Sequence, residues 1–224
     1  MSADSPGLAR NMGLATALLA GFSIFGVALV AVTEQVTRER IAANERAYTL
    51  RSLDEILPPE SRNNEMFTDT ITVTDPELLG SDQPVTVYRA RLDGRPVAAI
   101  LRITTPNGYS GPIRLLVGIF DDGRVAGVRV VGHRETPGLG DAIESDRSDW
   151  ILDFAGRSLG DPPEAGWSVK RDGGVFDQFT GATITPRAVV EAVRAALEYH
   201  AASRDFLYAA ETAGPTGVEE ETSE

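Results

Sequence analysis

The residues best suited to chemistry lie in Phe176-Asp177-Gln178-Phe179-Thr180-Gly181-Ala182-Thr183-Ile184-Thr185-Pro186-Arg187. Thr185 is a good N-cap residue and Pro186 suits the first helical position, so the spacing predicts a helix starting at Pro186. A helix N-terminus offers free N–H groups and the positive end of the macrodipole, which together suit a phosphate. Gly181 and Ala182 remove side-chain bulk from its approach, and Thr183 presents a hydroxyl beside it. The same residues also fit a plainer reading, a capped helix whose small residues pack on a sheet.

A second stretch pairs Gly108-Tyr109-Ser110-Gly111-Pro112 with His133-Arg134-Glu135-Thr136-Pro137-Gly138-Leu139-Gly140-Asp141. Pro137-Gly138 and Gly140 read as a turn from strand to helix. Lys170 precedes the turn Arg171-Asp172-Gly173-Gly174 and is either a phosphate or carbonyl partner or a solvated charge. His133 is a candidate proton donor, although a lone histidine at a strand end is more often structural. His200 has no visible role.

Composition closes off other chemistries. The 224-residue chain has a formal net charge of −12 at pH 7, which argues against binding a nucleic-acid backbone. With no cysteine it has no disulfide, thiolate zinc site, Cys-ligated cluster or thiol nucleophile. Two histidines make a multi-His metal site improbable, so no metal ligand is assigned. Redox chemistry would need a borrowed cofactor.

The elements that must position these residues are legible in outline. Gly13 to Val32 is an uncharged apolar run of 20 residues, enough at about 1.5 Å per residue to cross a hydrocarbon core of about 30 Å. Its length exceeds the h-region of a cleaved signal peptide, so a retained anchor over 13–33 is expected after a short N-terminus, 1–12. Glu34 to Leu57 continues as a stalk helix stopped by Pro58-Pro59, and a polar connector with a short strand candidate, Thr70-Ile71-Thr72-Val73, completes 34–84.

Val85 to Leu92 and Pro96 to Thr104 flank Asp93-Gly94, and Ile113 to Phe120 and Val125 to Val131 flank Asp121-Asp122-Gly123. These are two hairpins and a four-stranded sheet. One or two short helices are expected within Asp141 to Phe154, a short strand at Trp167 to Lys170, and an amphipathic helix from Pro186 to about Ala202. The predicted fold class is α+β: an N-terminal transmembrane helix and helical stalk, then a mixed sheet-plus-helix domain over 85–202. An acidic tail, 203–224, with Glu219-Glu220-Glu221 reads as disordered.

Asp177, Thr180, Gly181, Ala182 and Thr183 match the pattern Asp-x-x-[Ser/Thr]-Gly-Ala-Thr of the FMN-binding domain family, which this chain resembles. The resemblance implies that Thr183 carries FMN as a phosphoester, made by a flavin transferase that uses FAD and magnesium. It implies that Asp177 and Thr180 serve transferase recognition or hold the phosphate region, with Gly181, Ala182 and Thr185 beside it. Glu135-Thr136-Pro137-Gly138-Leu139-Gly140 resembles the segment that lines the isoalloxazine ring in that family. Thr136, Gly138 and Leu139 are the ring-contact candidates, and Glu135, Gly140, Tyr109 and Lys170 are further implied cofactor neighbours.

The order of anchor, stalk, sheet and motifs is similar to that of the G subunits of Rnf (Rsx) ion-translocating electron transport complexes. The C subunits of sodium-pumping NADH:quinone reductases are the nearest alternative, but usually have a longer region between anchor and flavin domain. The implied role is an electron relay inside a translocase, with other membrane and redox subunits as partners and no catalytic residue of its own. The implied location is the bacterial inner membrane, single-pass, with the flavin domain periplasmic. A non-redox membrane-tethered module is the contrasting reading.

Overall fold

The computed structural model describes residues 6–79 and 81–209. The acidic segment from Glu211 lies outside the described residues. Helix α1 spans Pro6–Ile56 and ends as the sequence requires, with Leu57 N–H donating to the Leu53 carbonyl before Pro58-Pro59. Its N-terminal part is apolar all round, and Leu18, Phe22, Ile24 and Val27 are exposed. It is long and apolar enough to cross a membrane, and hydrocarbon is the environment in which such a surface is not penalised.

The chain divides into two compact units at Tyr48/Thr49. The second unit is built on an antiparallel meander: β1 (Thr70–Asp75), β2 (Ser81–Leu92), β3 (Arg95–Gly108), β4 (Gly111–Phe120) and β5 (Val125–Gly132), each paired with its sequence neighbour. A single helical turn, α2 (Pro76–Leu79), follows β1. The sheet thus has five strands, not four. The Thr70-Ile71-Thr72-Val73 candidate becomes an edge strand because Ile71 and Val73 alternate into the core while it pairs with β2. The Asp93-Gly94 turn has positive φ at both residues, as a type I′ hairpin requires.

Period-two alternation gives the sheet two apolar faces. Ala99, Leu101 and Ile103 of β3 join one cluster, and Ala98 and Ile100 the other. The last turn of α1 covers the second face through Leu53, Ile56 and Leu57, with Met66 beside them. Leu53 is fully buried, so Leu53→Ala is expected to cost about 2–5 kcal/mol, read as a lower denaturant midpoint.

The first face is covered by α3 (Ile184–Ala209) through Val189, Val190, Val193 and Leu197. An aromatic group of Trp150, Phe154, Trp167 and Phe176 joins it, with Phe154 and Phe176 stacked at 4.5 Å between centroids. The expected short helices within Asp141–Phe154 are two 3-10 turns, Gly140–Ile143 and Asp149–Phe154. Trp167 to Lys170 is not a strand: only Val169 makes a bridge, to Phe176, and Lys170–Asp172 is a 3-10 turn. Helix α3 also runs beyond Ala202 to Ala209, because Leu207 is fully buried and the amphipathic pattern therefore continues.

Two polar groups are enclosed by this packing. Arg89 of β2 is buried, with its Nε 2.6 Å from Asp69 Oδ1, and Asp69 Oδ2 also accepts from Arg91 and Asn64, each at 3.0 Å. His200 of α3 is buried with Nε2 3.4 Å from the Tyr208 hydroxyl.

Burial holds the His200 pKa below its ordinary 6.5, and nearby Arg204 acts in the same direction while Asp121 and Asp122 oppose it. As pH falls, the unfolded chain therefore takes up the proton first. The stability contributed by neutral His200 is present above about pH 6.5 and is lost as pH falls from there toward its folded value. Urea unfolding at pH 7.5 and 5.5 should show a smaller difference in His200→Gln than in the original chain.

Candidate functional site

Two tight turns and a helix start make the site. In the first turn, Leu139 N–H donates to the Thr136 carbonyl at 3.1 Å, Pro137 holds the second position and Gly138 has φ +79°. In the second, Ala182 N–H donates to the Phe179 carbonyl at 3.1 Å and Gly181 has φ +82°. A positive φ at the third position is what type II turns require, so each motif glycine is first a turn residue. The turns meet: a Cβ built on Gly181 would lie 3.7 Å from Leu139 Cδ2.

The helix begins two residues earlier than its Thr-Pro signal suggests. Thr183, not Thr185, stands at the flanking position, and its carbonyl accepts from Arg187 N–H at 3.4 Å. Pro186 is tolerated because the N–H it lacks falls in the first turn, where none has a helical partner. Thr183 is half-buried, and its hydroxyl makes no hydrogen bond among the described residues. The first turn of α3 contains no acidic residue. A free hydroxyl, unpaired helix N–H groups and the positive dipole end are thereby gathered at one point.

Behind this surface sits Glu135, which is buried, with one carboxylate oxygen accepting from Ser110 N–H at 3.0 Å and the other from the Thr185 hydroxyl. Thr185 is fully buried and Gly140 is buried between them. His133 takes up the Glu135 N–H on Nδ1 at 3.0 Å and lies 2.7 Å from Glu144 Oε1 through Nε2. Both ring nitrogens are thus engaged within the protein, as a structural histidine requires.

Other expected site residues lie further out. Lys170 Nζ pairs with Asp177 Oδ1 at 2.6 Å, and both side chains are more than half exposed, so the pair contributes at most about 1 kcal/mol. The Asp177 carbonyl accepts from Trp150 Nε1 at 2.8 Å, and Trp150 meets Phe179 edge-on at 5.2 Å. These contacts fix the second turn to the aromatic core. Thr180 is exposed, and Tyr109, Leu139 and Ile184 leave apolar surface exposed on the site's elements. Arg187, one turn into α3, forms a two-point pair with Asp172, whose carboxyl it holds below its usual range. Sequence reasoning did not single out the Ser110 N–H, Trp150 or Phe179, whose roles depend on partners 25–29 residues away.

Thr180, Gly181 and Ile184, next to Thr183 in the chain, are exposed. A cleft of about 270 Å³ lies among Leu78, Thr105, Asn107 and Glu191, and one of about 710 Å³ among Asp121, Leu159, His200 and Arg204. Neither includes Thr183. An FMN phosphate fits this surface: the start of α3 has the donors an anion needs, and Tyr109, Leu139 and Ile184 expose apolar side chains for a ring.

Comparison with known proteins agrees with that fit. An FMN-binding domain model matches residues 108–198, and an RnfG N-terminal region model matches residues 1–56. The chain is 53% identical over 205 residues to the G subunit of the ion-translocating oxidoreductase complex of Pseudomonas aeruginosa strain UCBPP-PA14, covering 91% of this chain and 96% of that one. To the G subunits of the same complex from Pseudoalteromonas atlantica and Vibrio atlanticus it is 47% and 44% identical, covering 86% and 81% of this chain and 90% and 87% of theirs. Identity at this level, sustained over nearly the whole length of the relatives, settles kinship: the chain belongs to the family of G subunits of ion-translocating oxidoreductase complexes, with an FMN-binding domain.

Proposed function

We propose that this chain is a membrane-anchored electron relay whose FMN is esterified to Thr183. The observation that carries the reading is the Thr183 hydroxyl, free of protein partners at the start of α3 among the described residues. In the attachment step the Thr183 hydroxyl gives up its proton and takes the FMN phosphoryl group of FAD. The bond between the two FAD phosphates breaks and AMP leaves. A flavin transferase with magnesium is the partner for this step.

Once attached, the phosphate is held by the N–H groups and dipole of the first turn. Thr136, Gly138 and Leu139 of the Pro137-Gly138 turn would hold the ring, with Tyr109 on the β3–β4 connection. Bound FMN supplies the redox chemistry, and the protein supplies position and electrostatics. Electrons pass between this chain and other redox subunits of the complex, which couples their flow to ion movement. The N-terminus is cytoplasmic and the FMN-binding domain periplasmic, anchored in the inner membrane by α1.

Intact mass tests the reading. Protein co-produced with the flavin transferase should exceed its sequence mass by one FMN minus one water, and an unshifted mass overturns the covalent-flavin proposal.

A further inference from the structure

Glu135 belongs to the motif that resembles a ring-lining segment, yet its side chain is turned inward and only 5% of the residue is exposed. One carboxylate oxygen is taken by Ser110 N–H and the other by the Thr185 hydroxyl. The space around it is closed: a Cβ on Gly108 would lie 2.8 Å from one oxygen, and a Cβ on Gly140 2.6 Å from the other. These contacts join three separate segments, the β3–β4 turn, the loop after β5 and the first turn of α3.

The pinned residue matters because of helix geometry. Thr185 is the second residue of α3 and Thr183 directly flanks its start, so the placement of the first turn sets where the flanking residue stands. Fixing Thr185 inward therefore fixes the start of α3, and the two threonines differ in burial accordingly, Thr185 fully buried and Thr183 half-buried. We infer that Glu135 is a positioning residue that does not touch the cofactor: by clamping the Thr185 hydroxyl it sets the rotation of α3 and presents Thr183 for flavin attachment. A side chain at Gly140 would meet the clamp first, whereas one at Gly108 would meet the Gly111 carbonyl before the clamp. This rests on Thr183 being the attachment point.

The test uses the full-length protein in detergent, made with and without the flavin transferase, in Thr185→Val, Thr185→Ser, Glu135→Gln and the Thr185→Val/Glu135→Gln double variant. Without transferase, each of Thr185→Val and Glu135→Gln should lower the unfolding temperature, and the double variant should fall by clearly less than their sum. With transferase, the fraction of chains carrying the FMN mass at a fixed early time should drop about tenfold or more in both, as misplacement of a reacting group predicts. Thr185→Ser, which keeps the donor, should restore both measures. Flavin that does attach to Glu135→Gln should keep the absorption spectrum and potential of the original.

The inference is overturned if Thr185→Val loads at the original rate, if the two substitutions are additive without flavin, or if Glu135→Gln loads normally but shifts the flavin spectrum. Should Glu135→Gln fail to fold, the isosteric Val variant and the donor-retaining Ser variant at Thr185 still decide the matter. FMN retained in Thr183→Val would instead overturn the attachment reading, and the coupling measured without flavin would stand.

Discussion

Thr183→Val is expected to abolish covalent flavin completely while leaving the fold intact. Valine has nearly the shape of threonine but no nucleophilic oxygen, so the mass of protein co-produced with the transferase should return to the sequence value. In-gel flavin fluorescence should vanish with it. Stability should hardly change, because the Thr183 hydroxyl makes no hydrogen bond among the described residues and the side chain is half-exposed. Substitutions of that kind stay within about 0.5 kcal/mol, a shift of about 2 °C or less in a chain of this size. Thr180→Ser is the matched control: it keeps the motif and alters a side chain that lies in the turn rather than at the helix start, so an FMN mass should still be found. Attachment surviving in Thr183→Val would move the ester elsewhere.

The largest loss of stability should come from Asp69→Ala, far from the flavin site. Asp69 accepts from the side chains of Arg89, Arg91 and Asn64, and its carbonyl also accepts from Arg89 N–H at 2.9 Å. Removing the carboxylate takes away a negative charge held against the Arg89 guanidinium, which is only 1% exposed. Breaking a buried pair in this one-sided way costs about 3–5 kcal/mol, well above the net worth of the pair itself. The unfolding temperature should fall by roughly 10 °C. An unchanged midpoint would mean that Arg89 is satisfied without Asp69. Arg89→Met, which removes the charge along with its partner's demand, should be milder than Asp69→Ala.

Much of the fold could be read from local pattern. The four strands β2 to β5 follow from alternation of apolar residues, and Asp93-Gly94 and Pro137-Gly138 specify their turns by themselves. The long apolar segment of α1 needs no tertiary information. What could not be read depends on partners distant in the chain. Thr185 has the composition of a cap, but whether it caps or points inward is decided by a carboxylate 50 residues away. Glu135 looks like a surface acid within a ligand motif until Ser110 and Thr185 are seen to enclose it. The strand at Thr70–Asp75 is short and isolated in sequence, and its place at the sheet edge comes from pairing with β2. The Asp69–Arg89 pair carries no local signal, because a charged residue on a strand ordinarily faces water.

The order of strands also sets an order of events. Because each strand pairs with its predecessor, the sheet can form hairpin by hairpin as the chain emerges, with little cost of closing long loops. Thr183 and Thr185 arrive only with the final helix, which must dock against β3 and the loop after β5 before the hydroxyl is presented. A chain cut short or stalled before α3 has a nearly complete sheet but nothing to esterify. On the proposed attachment at Thr183, α3 thus acts as a checkpoint, so that cofactor is spent only on molecules whose helix has docked on the sheet.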